Sequence, residues 1–255
     1  MSRSRKVHVQ QELFKRRGGK RRGAGRKPKG RRAGSPHARR PELDPRHPVH
    51  LVLRVADDIG SLRKRDMYRC LREATLAAAR RQIEKNAPLC RLVHLSIQGN
   101  HVHLLVEAAS KDALSRGMQS FQISAAKRLN RTVSEVRGKR RVGAVFPDRF
   151  HEEIITSPRQ ARHALSYVLN NWRKHREDTV GVSRSWKVDP FSTGALFAGW
   201  REREGELLLW PLPATYRPMF VFLPQTWLLN RGWRKAGDIS YRSVPGSHLP
   251  RAVVR

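Results

Sequence analysis

Apolar positions change period several times along the chain, and each change marks an element. "HPVHLVLRV" (47–55) is rich in leucine and β-branched residues and predicts a strand. "DDIGS" breaks it. Leu62, Met67, Leu71, Ala74 and Ala78 then recur at roughly helical spacing, predicting a helix over 62–85 that "NAP" ends. "CRLVHLSI" (90–97) and "HVHLLVE" (101–107) read as two strands reversed by "QGN" (98–100), a hairpin. Leu114, Met118, Phe121, Ala125 and Leu129 form one apolar stripe, so 110–133 is a second helix with Ser110 at its N-cap and "SEVRGKRR" as the loop beyond. A strand over 149–156 follows. The helix over 157–177 is the best marked of all, with Ser157 placed to cap it and Pro158 at its first position. The order β-α-β-β-α-β-α contains, in its first six elements, the split βαβ arrangement of ferredoxin-like folds. The expectation is an α+β domain over 47–177, with an antiparallel sheet whose helices lie on one face and leave the other to a ligand. Residues 178–255 are less regular and hold Trp186, Trp200, Trp210, Trp227 and Trp233. That segment is too apolar for a free tail and should pack back on the domain, with a short helix inside "PQTWLLNRGWRKAG" ending at Gly237. Aromatic and basic composition also suits stacking on single-stranded bases.

Charge narrows the class of partner. The 255 residues carry a formal net charge of +32, which makes nucleic acid the default partner. Residues 1–46 alone hold 17 Lys and Arg against 3 Asp and Glu. This Gly-rich segment has too little apolar surface to repay its ordering entropy, so it reads as a disordered DNA-binding arm. Arg21, Arg22, Arg26 and Lys27 are its candidate contacts. "GRKPKG" suits either a minor-groove hook or a nonspecific phosphate-binding tail. Cys70 and Cys90 are not at metal-ligand spacing and imply no disulfide framework. No apolar h-region or membrane-length run is present in the sequence, so the expectation is a cytoplasmic, nucleoid-associated protein with no membrane partner.

The chemistry starts at "GNHVHLLVEA" (99–108). Residues at i and i+2 of a strand point to one face, so His101 and His103 project together while Val102 and Leu104 enter the core. Two imidazoles about 7 Å apart along a strand can converge on one divalent ion, although such a pair is often structural. On the helix over 157–177, His163, Tyr167, Asn171 and Lys174 share a side. Ala164, Leu165, Val168 and Leu169 already supply that helix with a packing stripe. Asn171 offers an amide oxygen suited to Mg²⁺ or Mn²⁺, so His101, His103 and Asn171 form a candidate ligand set with positions left open for a phosphate. Tyr167 is the candidate nucleophile. A phenol with a pKa of about 10 needs help to attack a phosphodiester, and a cation that polarises the phosphoryl oxygen supplies it. Attack would give a 5′-phosphotyrosine and a free 3′-OH.

Here the chain resembles a known family. "GNHVHLLVEA" is similar to the HUH signature, "YVLNN" to its single-tyrosine helix, and "VFPDRFHEEII" to the strand before that helix. With the element order, these resemble the single-tyrosine (Y1) transposases of the IS200/IS605 type, and among them the REP-associated tyrosine transposases. The resemblance covers roughly 45–180 and implies a metal-dependent endonuclease and strand transferase, working as monomer or homodimer on single-stranded hairpin DNA, with Tyr167 as nucleophile. Arg149 and Lys174 are further candidate DNA contacts. Asn171 stands where IS200 relatives usually carry Gln and the REP-associated branch has Asn, while Trp172 interrupts the "NNP" common in that branch. Two rivals remain: another HUH nuclease, such as a relaxase or replication initiator, and a basic nucleic-acid-binding remnant without activity.

Overall fold

Alternation in "VHLVLR" puts Val49, Leu51 and Leu53 on one side of strand β1 (Val49–Arg54) and His50, Val52 and Arg54 on the other. The chain is described here by a computed structural model over residues 40–84, 89–179, 181–203 and 213–246, all within the compact unit Ser35–Arg255. After β1 a short 3-10 turn, Asp57–Ile59, ends at Gly60 with φ 79°, a left-handed value glycine adopts without a Cβ clash. Helix α1 (Arg65–Ile83) begins three residues later than the pattern predicts. Leu62 is buried, yet its N–H donates to Gly99 O across the hairpin turn instead of opening a helix.

Strands β2 (Cys90–Ile97) and β3 (His101–Ala108) form the expected hairpin, with a bulge between Leu92 and His94. Helix α2 (Lys111–Arg137) is capped by the Ser110 hydroxyl, which accepts from Ala113 N–H. It runs four residues into the stretch predicted as loop. Val133 packs inward at the extension, and Gly138 at φ 64° is the first residue suited to a left-handed C-cap. Strand β4 is only His151–Ile154 and pairs with β1 alone. Helix α3 (Pro158–Lys174) starts with a full capping box between Ser157 and Gln160, Pro158 leading it. It stops at Lys174, before the predicted 177, where Arg176 turns to φ 56°.

The sheet order β2-β3-β1-β4, antiparallel at each junction, is that of a ferredoxin-like fold. Helices α1 and α2 cover one face, and their stripes join Leu51, Leu53, Leu104 and Val106 in one apolar core. The second face is not left open. Leu165, Val168 and Leu169 of α3 lie against Val93 and Leu105 of the sheet, with Phe197, Trp200 and Trp233 of the C-terminal segment completing that core. The predicted helix near 224–237 is instead a single turn, α4 (Trp227–Asn230), followed by a 3-10 turn, Gly232–Ala236. The break at Arg231 lets Gly232 sit against the Trp227 ring, where a Cβ would meet ring carbons at 2.7 Å, while Trp233 goes into the core. Glu107, fully buried on β3, fastens this segment: it accepts from the N–H groups of Gln225 and Thr226 and pairs with Arg91 at 2.9 Å.

Candidate active site

The pleat decides which side chains can meet. β1 and β3 are antiparallel with Val52 opposite His103 and Arg54 opposite His101, so His50, His101 and His103 share the face that α3 covers. His101 and His103 do converge: their Nε2 atoms are 3.0 Å apart and their rings stand edge to face at 4.7 Å. Across from them, the Tyr167 ring centre lies 5.1 Å from that of His103, the rings perpendicular, and the His175 ring centre lies 6.3 Å from that of His101. Tyr167, Asn171 and His175 occupy successive turns of one helical face. The first meets His103 and the last meets His101, and Asn171 lies one turn from each along the helix.

Each histidine is held by its other nitrogen. His101 Nδ1 is 2.9 Å from Asn100 Oδ1, which can only accept, so His101 carries its proton on Nδ1 and turns an Nε2 lone pair to the site. His103 Nδ1 is 3.1 Å from His50 Nε2, and the two ring centres are 5.3 Å apart. Burial is the main reason that the imidazoles stay neutral: it pushes His101 and His50 down to about 4, and His103 to about 2, with mutual repulsion adding to it. Neutral imidazole is the form that binds a metal.

The donor set suits a divalent cation. At metal–ligand bonds of about 2.1 Å, two ligands at a right angle sit about 3.0 Å from each other, the spacing of the two Nε2 atoms. Asn171 is fully buried, and neither its Oδ1 nor its Nδ2 has a hydrogen-bond partner among the described residues. A buried amide left without a partner is costly, so its oxygen is a candidate donor to a ligand. Two imidazoles and one amide oxygen are donors that a divalent cation can take. The set is not a cluster of three His, Cys, Asp or Glu, and among the described residues there is no such metal-holding cluster.

A cleft of about 780 Å³ opens beside this group, lined by His50, His103, His151, His163 and Tyr167 among others. Lys174 places Nζ 4.9 Å from the centre of the Tyr167 ring. Arg149 lies elsewhere, in a separate groove with Arg40, Arg116 and Gln119. Arg21, Arg22, Arg26 and Lys27 lie outside the described residues.

The family model described as "Transposase IS200 like" matches residues 47–171, from just before β1 into the last turn of α3. The chain belongs to the IS200-like transposases. Among solved structures, a REP-associated tyrosine transposase bound to a REP hairpin matches 73% of this chain and 99% of its own, at 15% identity and a TM-score of 0.44. No curated protein matches the chain. Among the described residues no helix of this transposase is long and apolar enough to cross a membrane.

Sequence reasoning passed over His50, Asn100 and His175. His50 carries the same signal that singled out "HVH", an imidazole at a polar position inside an apolar strand. His175 continues the series 163, 167, 171 by one more turn.

Proposed function

We propose that this transposase cuts and rejoins single-stranded DNA through Tyr167, on hairpin-type substrates, with Mg²⁺ or Mn²⁺ held by His101, His103 and Asn171. The observation that carries the reading is the meeting of the Tyr167 ring with the converged imidazole pair at 5.1 Å, in a cleft open to solvent. When bound, the cation polarises the scissile phosphate and offsets charge on the leaving oxygen. The protein does the rest. Helix α3 is fixed by its capping box and by the burial of Leu165, Val168 and Leu169, so the phenol is presented at a set depth over the sheet. The Tyr167 oxygen forms the new bond to phosphorus, the bond to the 3′-oxygen breaks, and the phenolic proton ends on the released 3′-OH. Lys174, above the ring, favours negative charge developing on the phenol. The phosphotyrosine keeps the bond energy of the diester, so a second 3′-OH can reverse the step without ATP.

The test is incubation of the full chain with single-stranded hairpin DNA and Mn²⁺ or Mg²⁺. The parent should give a protein–DNA adduct that survives denaturation. Tyr167→Phe, which keeps the ring and its packing, should give none while binding the DNA as the parent does. An adduct from Tyr167→Phe would move the nucleophile elsewhere, and no adduct from the parent would leave a DNA-binding remnant as the better reading.

A further inference from the structure

We propose that His50 is a positioning residue: it lets His103 exchange the tautomer it holds in the metal-free protein for the one that presents an Nε2 lone pair to a cation. The inference rests on the cation site proposed above and concerns a strand, β1, that supplies none of its ligands. His101 is fixed with its proton on Nδ1 by Asn100 Oδ1. Its Nε2 is therefore an acceptor, 3.0 Å from His103 Nε2. Without a cation, that contact is satisfied when His103 carries its proton on Nε2 and donates to His101. His103 Nδ1 is then an acceptor, and at 3.1 Å His50 Nε2–H is placed to donate to it. Every nitrogen facing a neighbour in the row His50, His103, His101 is then satisfied.

Binding a cation requires the other arrangement. His103 Nε2 must give up its proton, so the proton of a neutral ring belongs on Nδ1. That proton needs an acceptor, and His50 Nε2 becomes one when His50 moves its own proton to Nδ1. Each ring has one N–H before and after. The proton leaving His103 Nε2 is balanced by one gained at His50 Nδ1, so the ring set neither gains nor loses charge. An imidazole can do this because it is donor and acceptor by turns. The near-coplanar geometry, 5.3 Å between ring centres at 25°, and the Tyr167 ring with its centre 5.9 Å away keep His50 in register while it changes role. The support of a ligating imidazole by a partner on its far nitrogen is what fixes ring orientation and ligand basicity in metal sites.

The experiment is ¹⁵N NMR of the histidine rings of the full chain at neutral pH, metal-free and then titrated with Mg²⁺, which is diamagnetic. Metal-free protein should show His103 protonated on Nε2 and His50 also on Nε2. Saturation should move both protons to Nδ1 and leave His101 on Nδ1 throughout. His50→Leu, which fills the space but neither donates nor accepts, should weaken Mg²⁺ binding about 10- to 100-fold. His50→Gln, whose amide rotates to offer N–H or oxygen, should recover most of it. Melting curves of both variants show whether they fold, and the NMR of the parent needs no variant. If Mg²⁺ shifts the His101 and His103 signals while His103 keeps its proton where it was, the switch is wrong and the cation site stands. If His50→Leu binds Mg²⁺ as the parent does, His50 has no positioning role. If Mg²⁺ shifts neither imidazole of the pair, the cation site itself is wrong and the inference falls with it.

Discussion

On the α1/α2 side of the sheet, β1 and β3 present Leu51, Leu53, Val102, Leu104 and Val106, each at most 1% exposed and all in one apolar core. On the α3 side the same two strands present His50, Val52, His101, His103 and Leu105. The register is identical, since opposite residues share a face. One side gains its stability from close-packed hydrocarbon. The other holds imidazoles in neutral form by burying them, against their preference for water and charge. Apolar residues from outside the strands offset that: Trp200 and Trp233, each 1% exposed, fill the far end of the α3 face. A single strand can therefore carry core and chemistry on alternate residues, provided that the stabilising face and the reactive face are separately packed.

Two neighbouring residues of β3 test this separation with the largest effects. His103→Ala should reduce cleavage of hairpin DNA to background, because it removes one of two converged ring nitrogens, while shifting the melting temperature little. Leu104→Ala, one residue on, should cost about 2–5 kcal/mol through lost burial and a residual cavity, with cleavage per folded molecule close to that of the parent. Urea melts and a gel assay of nicked product measure both. A His103→Ala protein that unfolds more easily than Leu104→Ala would show that the reactive face also carries the fold, and the separation would be lost.

The division between the faces was largely legible in the sequence, because it is written in alternation. A period of two across "HVHLLVE" and "VHLVLR" assigns every residue of β1 and β3 to a side, and the caps at Ser110 and Ser157 fixed where α2 and α3 begin. His101 and His103 were found by that alternation and Tyr167 by helical spacing, and the three are brought together. What escaped depends on contacts between distant segments. His50 supports His103 only because β1 lies beside β3, a pairing that strand composition does not announce. The C-terminal segment packs back as expected, but where it docks depends on Glu107 and on the Arg63–Asp189 pair, whose partners are more than 100 residues apart. The break in the last predicted helix is set by a ring packing on Gly232, which overrides local helical preference.

Acid should expose the same asymmetry at intermediate size. His94, on β2, is fully enclosed with Nδ1 at 3.1 Å from Thr193 Oγ1, and burial pushes it from 6.5 down to about 4. The unfolded chain binds a proton there at a pH where the folded chain does not, so stability rises with pH between about 4 and 6.5 and falls as pH drops through that window. The full effect of one such group is about 3 kcal/mol. His50 and His101, with folded values also near 4, act in the same direction. In metal-free buffer the melting temperature should fall from pH 7 to pH 4.5. His94→Asn, which keeps a hydrogen-bonding atom near the Nδ1 position but does not titrate, should flatten part of that slope. An unchanged slope would mean that His94 does not carry the acid response, which then belongs to His50 and His101 or to the carboxylates.

The smallest expected effect on stability separates two adjacent asparagines of α3. Asn170 Nδ2 donates to Ser240 O at 2.9 Å, a bond that ties the helix to the C-terminal segment. Asn171, equally buried, has no hydrogen-bond partner for either side-chain atom among the described residues. Asn170→Ala should therefore cost about 1 kcal/mol of metal-free stability and leave Mn²⁺ affinity unchanged. Asn171→Ala removes polar atoms that no protein group satisfies, so metal-free stability should stay at or slightly above that of the parent. Its cost should appear only with the cation present, as a loss of Mn²⁺ affinity measured by calorimetry and a smaller rise in melting temperature on adding Mn²⁺, since a ligand stabilises in proportion to its binding. If Asn171→Ala destabilises the metal-free protein and binds Mn²⁺ like the parent, Asn171 is a core residue with a partner of its own. The α3 face then contributes only two of the three ligands assigned to it.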